Sequence, residues 1–187
     1  MVTSLPTFES MVDNIITCWN GATFEDRAGG RDWYEAGHSY LKGLAETFDI
    51  PFDRVAGICA VLSPSVRWDR NLLETYMLLD GELEGFTAYG TNVAKAWNIK
   101  DGDLSQIRGP KVTAFYRLLV DPTRHTVVID TWAIRIAFGI DGFGDVKGYN
   151  TPSRVSWIQQ AYASAAILLE EKPSHVQAAT WLARRDT

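Results

Sequence analysis

Apolar residues recur at intervals of three and four along most of the chain, as in Met11, Ile15, Ile16 and Trp19, and again in Tyr34, His38, Leu41, Leu44, Ala45 and Phe48. That is the period of an amphipathic helix. The stretch from Phe52 to Leu62 is different: it opens with Asp53 in a capping role, is apolar nearly all round and stops at Ser63-Pro64. Such a segment reads as a helix buried on every side. Further helices are expected from about Trp68 to Leu79, stopped by Asp80-Gly81, and around Asn92 to Trp97. Lys100 to Arg108 reads as a polar turn. A helix then begins at Gly109-Pro110, with Val112, Phe115, Tyr116 and Leu119 on one face, and Pro110 loses nothing at a helix start because its missing N–H needs no partner there. His125 to Ile129 has the β-branched content of a short strand but leads straight into a helical Asp130–Gly139, so an extended approach to a helix is favoured. Two closing helices, about Pro152 to Leu169 and Pro173 to Arg184, complete an all-α count of eight or nine, with no repeat or low-complexity segment.

Composition bounds the class. The chain has 187 residues, 46% of them apolar and 22% charged, with seven Trp, seven Tyr and eight Phe. That is the make-up of a folded globule, one domain or two small lobes around one cleft, and not of a disordered tail. No apolar run reaches the roughly 20 residues of a membrane span, and the first residues lack the pattern of a secretion signal. Cys18 and Cys59 are too few for a disulfide framework, a four-thiolate zinc site or an iron–sulfur cluster, so the expected setting is a reducing cytoplasm. The net charge is −5, with 8 Lys/Arg against 14 Asp/Glu in residues 1–100 and 10 against 9 in residues 101–187. An acidic chain has no overall attraction for a phosphate backbone, and composition by itself does not suggest nucleic acid.

The chemistry-bearing stretch is LSQIRGPKVTAFYRLLVDPTRHTVVIDTWAIRIAFG, residues 104–139. It offers a glycine at a tight turn, Lys111 in the first turn of a helix whose unpaired N–H groups attract anions, and then Asp130 at the start of a second helix. Gly109, Lys111 and Ala114, followed by Val128, Asp130, Thr131 and Arg135, resemble the helix-hairpin-helix DNA glycosylases of the endonuclease III class. Their signature is a glycine-rich hairpin, a lysine at a helix start and a downstream V-D-T-x-x-x-R. The segment Ile58–Ser63 is similar to that family's buried helix ending in I-L-S. Together the resemblance spans residues 52–140.

The resemblance implies an all-α, two-lobed fold with a central cleft. Its lobes would be about 1–50 with 140–187, and 51–139, in a single domain of residues 1–187. It also implies DNA as partner and an extruded base as substrate. Asp130 would be the carboxylate that stabilises positive charge on the sugar as the base leaves, and Lys111 would correspond to the amine that attacks the sugar in bifunctional members. Three features depart from the family: Ser105–Gly109 carries one glycine where the hairpin has two, Trp132 stands where His is common, and the C-terminal four-cysteine cluster is absent, so no iron–sulfur cluster is expected. Such losses resemble those of bacteriophage relatives linked to thymine hypermodification. That resemblance implies an alternative reaction, transfer of an amine or amino acid onto an activated thymine-derived base in host cytoplasm. A third reading is a non-catalytic DNA- or protein-binding module. No cofactor is called for.

A second candidate cluster is Ser63, Ser65, Arg67, Trp68, Arg70 and Asn71, hydroxyls and guanidinium groups beside an aromatic, a set suited to holding a phosphate and stacking a base. Arg108, Gly109, Thr131, Trp132 and Gln177 complete the candidate contacts, with Arg184 and Arg185 adding positive charge. Each has a plainer alternative: Asp130 as a helix N-cap, Lys111 as a phosphate contact, Arg67, Asp69 and Arg70 as surface ion pairs, and the tryptophans as core anchors. His38 reads as a satisfied, half-buried histidine, and His125 and His175 show no metal-ligand spacing. Asp141 and Asp145 among glycines lack the spacing of a calcium loop and read as a flexible loop at the cleft mouth.

Overall fold

In the computed structural model, which describes residues 5–140, 146, 148 and 151–185, secondary structure among the described residues is helical, with no strand. The elements are α1 (Phe8–Gly21), α2 (Phe24–Phe48), α3 (Phe52–Leu62), α4 (Trp68–Asp80), α5 (Gly90–Lys100), a 3₁₀ turn (Leu104–Gln106), α6 (Pro110–Val120), α7 (Thr131–Phe138), α8 (Pro152–Leu168) and α9 (Pro173–Arg185). The all-α reading and the order of helices follow the hydrophobic pattern. Asp141 and Asp145 lie outside the described residues. No described helix is long and apolar enough to cross a membrane.

The chain divides into two compact units, a terminal one (Met1–Trp33 with His125–Thr187) and a middle one (Tyr34–Arg124). In the terminal unit α1 packs on α7, α8 and α9. Thr7 caps α1 by accepting the Ser10 N–H at 3.1 Å, and Met11 and Ile15 on its apolar face meet Ile158, Tyr162 and Val176, all fully buried. Each such side chain removed from water stabilises the unit by about 1.5–3 kcal/mol. In the middle unit α3 is the hub, with Val55 through Leu62 all buried and α4, α5 and α6 packed around it. A helix apolar on every face needs neighbours on every face, and these three supply them.

Two boundaries differ from the sequence pattern. α2 starts at Phe24, ten residues before the periodic run at Tyr34. Thr23 and Asp26 explain it: the Asp26 N–H donates to Thr23 Oγ1 at 3.0 Å while the Thr23 N–H donates to Asp26 Oδ2 at 3.0 Å, a reciprocal cap that offsets the helix-weakening glycines after it. Gly30 is required for packing, since a Cβ there would stand 2.5 Å from the Ala179 backbone nitrogen.

The units also divide at 33/34 and 124/125, where lobes meeting near 50 and 140 were expected. On one side, α7 packs on α1, α8 and α9 and so belongs with the chain ends. On the other, the second part of α2 packs within the middle unit, with Tyr34 against Phe115 and His38 against Phe52 at centroid distances of 6.3 and 4.8 Å.

Candidate functional site

The approach to Asp130 is extended, as expected, and it is buried: Val127, Val128 and Ile129 are each at most 5% exposed. A buried extended segment outside a sheet must find partners for its peptide groups elsewhere. Gln159 provides one, its Nε2 donating to the Val127 carbonyl at 2.9 Å. Asp130 follows with φ −102° and ψ −174°, and its Oδ1 accepts the Ala133 N–H at 2.8 Å, so it is the N-cap of α7. Thr131 is exposed, and Trp132 is half-buried with the Arg135 guanidinium 5.0 Å from its ring centroid. Gln177, on α9 of the same unit, is buried.

The remaining predicted residues belong to the middle unit. Ser63 Oγ turns back to the Ala60 carbonyl at 2.9 Å, and Ser65 is exposed with φ +65°, a left-handed conformation uncommon for a residue other than glycine. Ser65 Oγ accepts from the Tyr89 hydroxyl at 3.3 Å. Arg67 and Asp69 form an exposed ion pair at 3.5 Å, as the plainer reading had it. Trp68 packs edge-on against Phe115 at 6.0 Å, an anchor for α4 and α6.

Arg70 and Asn71 do not point outward as phosphate contacts. Asn71 is fully buried and its Nδ2 donates to the Cys59 carbonyl at 3.1 Å, tying α4 to α3. Arg70 Nε donates to Glu74 Oε1 at 2.8 Å, and its other end donates to the Gly85 carbonyl. Glu74 is fully buried and also accepts from the Thr87 N–H, the Thr87 hydroxyl at 2.7 Å and the Ala88 N–H at 3.2 Å. Burial opposes its ionisation, but the hydrogen bonds from Thr87, Arg70 and Ala88 outweigh that and hold its carboxyl below the usual range. Sequence reading passed over Glu74, although its i,i+4 spacing to Arg70 was the available signal.

At the hairpin, Asp103 caps the 3₁₀ turn and Arg108 Nε donates to the Ser105 carbonyl at 2.7 Å. Gly109, with φ +88° and ψ +148°, adopts a conformation open essentially to glycine alone, and a Cβ there would meet nothing within 4 Å. The backbone, not crowding, demands this glycine. Gly109 leaves the start of α6 without a side-chain cap, and Lys111, half-buried, follows Pro110 in its first turn. An uncapped helix start with a lysine suits an anion.

The two cysteines are buried free thiols, and burial pushes the Cys59 thiol up to about 12. That thiol stays protonated and inert. His38 bonds the Leu119 carbonyl at 2.9 Å, and among the described residues no three His, Cys, Asp or Glu gather as a metal set. Asp130, Thr131, Trp132 and Gln177 thus share one unit, while the Ser63–Asn71 cluster, Arg108, Gly109 and Lys111 share the other.

The model of a family of unknown function, DUF7178, matches residues 2–187, and the chain belongs to that family. No curated protein and no solved structure matches it.

Proposed function

We propose that the protein processes an extruded, modified pyrimidine in DNA as a helix-hairpin-helix glycosylase-like enzyme, with Asp130 as its reacting-centre carboxylate. The observation that carries this reading is the seat of Asp130. A buried, hydrogen-bonded extended segment delivers it to the first turn of α7, within the I-D-T-x-x-x-R element. Rupture of the base–sugar bond builds positive charge on the sugar, and an ionised carboxylate held rigidly beside it lowers that barrier. Water, oriented by the carboxylate, then bonds to the sugar carbon as the base departs with the bond's electron pair, and the proton that the water loses ends on the departing base. The glycine-led, uncapped start of α6 supports a phosphate contact. Lys111 in its first turn fits that contact better than the role of nucleophile, since a Schiff-base lysine needs a desolvated amine and Lys111 is only half-buried.

A second reading rests on Trp132 and Arg135. A guanidinium stacked on an indole in the turn after Asp130 provides a fixed positive charge for a departing pyrophosphate. In that reaction an amine nitrogen bonds to the activated thymine methylene, the carbon–oxygen bond breaks with its electron pair leaving on pyrophosphate, and the nitrogen gives up a proton to solvent.

Nucleoside mass spectrometry of ordinary and pyrimidine-modified DNA, after incubation with wild type and Asp130→Asn, tests both. Release of a base by wild type, reduced about 10³-fold in the variant, is the expected result. A mass gain that requires an added amino acid or polyamine establishes the transferase. Borohydride trapping is expected to leave Lys111 unlinked. No change in any DNA overturns both readings and leaves a binding module.

A further inference from the structure

Beneath the start of α7 lies a polar cluster that no step above uses. Tyr162, in the middle of α8, is fully buried, and its hydroxyl donates to the Ala133 carbonyl at 3.5 Å. Ala133 is the residue whose N–H the Asp130 carboxylate accepts at 2.8 Å. One short residue in the first turn of α7 is thus held at both ends, by Asp130 from outside the helix and by Tyr162 from the core. The Thr180 side chain also interacts with the Tyr162 hydroxyl. Thr180 is itself fully buried on α9, its hydroxyl bonding the Val176 carbonyl at 2.8 Å and its own carbonyl accepting from Cys18 Sγ at 3.8 Å. Three helices, α1, α8 and α9, therefore converge on this group.

A buried phenol costs desolvation, and a phenylalanine of nearly the same volume would fill the site without that cost. What the hydroxyl adds is a tether: 3.5 Å from the Ala133 carbonyl, whose direction the helix already sets, it ties α8 to the turn on which the Asp130 carboxylate is hung. Burial above all, with smaller contributions from Cys18 and the Asp130 carboxylate, pushes the phenol far above its ordinary range, so it remains a neutral donor at every working pH.

We propose that Tyr162 is a positioning residue for Asp130, locking the first turn of α7 so that the carboxylate keeps one orientation toward its substrate. The catalytic meaning of this assignment rests on the base-processing reading, while the coupling of Tyr162 to Asp130 does not.

The test is an NMR titration of the Ala133 amide, whose N–H donates to the Asp130 carboxylate and senses its charge, in wild type, Asp130→Asn and Tyr162→Phe. In Tyr162→Phe the pH-dependent excursion of that amide is expected to fall at least twofold and its hydrogen exchange to quicken about tenfold, as for loss of one buried hydrogen bond. A merely structural tyrosine would lower the melting temperature and leave the Ala133 titration as in wild type, and that result overturns the proposal. Should Tyr162→Phe fail to fold, the wild-type Tyr162 hydroxyl proton is followed instead: slow exchange and a shift that tracks the Ala133 amide are expected, and a rapidly exchanging or unresponsive hydroxyl overturns the proposal. On a responsive DNA substrate, Tyr162→Phe is expected to lower kcat about fivefold with KM unchanged, a loss of orientation and not of binding. Loss of the Ala133 response in a protein whose wild type alters no DNA would uphold Tyr162 as the partner of Asp130 while overturning the base-processing reading.

Discussion

The starts of α4 and α7 both carry polar side chains at or within the first turns, Arg67 to Asn71 and Asp130 with Thr131, and the structure uses them in opposite ways. At α4 the polar groups reach across the chain. Asn71 holds α3 through the Cys59 carbonyl, and Arg70 with Glu74 holds the Gly85–Ala88 segment. At α7 Asp130 accepts from Ala133 three residues on, and behind it Gln159 and Tyr162 make long-range polar bonds to the backbone on either side of it. Residue type therefore does not separate frame from site. The direction of support differs: at α4 the side chains of the helix itself hold distant backbone, whereas at α7 side chains of α8 hold the backbone on either side of Asp130.

The strongest way to break this comparison is to remove Glu74. If it is frame, Glu74→Ala leaves Arg70 facing vacated, buried carbonyl and amide groups and costs about 3–5 kcal/mol in urea unfolding at pH 7. The activity of the molecules that remain folded should be unaltered. The pH dependence has a definite sign. The Glu74 carboxyl is held below its unfolded value of about 4.3, so its stabilisation is complete above that pH and is lost as the pH falls through the folded value. The gap in stability between wild type and Glu74→Gln should accordingly be full at pH 7 and narrow below about pH 4. A gap that is constant with pH would mean that the charge of Glu74 does not matter to the frame.

Next in size is Gly109, where α6 begins. With φ +88° an alanine is strained by about 1–3 kcal/mol even though the space beside it is open. If the hairpin holds a phosphate, Gly109→Ala should weaken DNA binding by more than its loss of stability explains. Equal losses would make this glycine part of the frame as well.

Asp130 comes third in stability and reverses the pattern set by Glu74. Asparagine caps a helix as well as aspartate, so Asp130→Asn should leave thermal stability nearly unchanged, whereas Asp130→Ala should cost about 1 kcal/mol. A large destabilisation by Asp130→Asn would place this carboxylate with Glu74 in the frame and remove the ground for its role in chemistry.

These contrasts also explain what could be read from sequence. The buried α3, the stops at Gly81 and Gly139, the start of α6 at Gly109-Pro110 and the extended approach to Asp130 were legible because each is written locally, in apolar periodicity, capping residues or backbone preference. The early start of α2 was hidden because its glycines argue against a helix until Ala179, on a distant helix, is seen to need the space at Gly30. Arg70 and Asn71 were misplaced as surface contacts because their partners, Cys59, Glu74 and Gly85, are set by tertiary packing. Tyr162 left no signal at all, being one aromatic among the apolar residues of α8.

The smallest effect concerns the one guanidinium at the start of α4 that faces outward. Arg67 has 88% of its side chain exposed and pairs with an Asp69 that is 74% exposed, at 3.5 Å. Pairs of this kind contribute little, so Arg67→Ala should change stability by less than about 0.5 kcal/mol. Binding is where it can differ. If Arg67 neutralises one phosphate, the slope of log K against log salt should shrink by about 1 in Arg67→Ala, uniformly across DNA sequences. Asp69 offers the matching control, since removing a carboxylate beside a phosphate contact should tighten binding at low salt and have no effect if Arg67 touches no DNA. A reduced slope would make α4 a mixed element, with its inward residues holding the fold and its outermost one holding the ligand. The frame at Glu74 would then be what fixes the position of that contact.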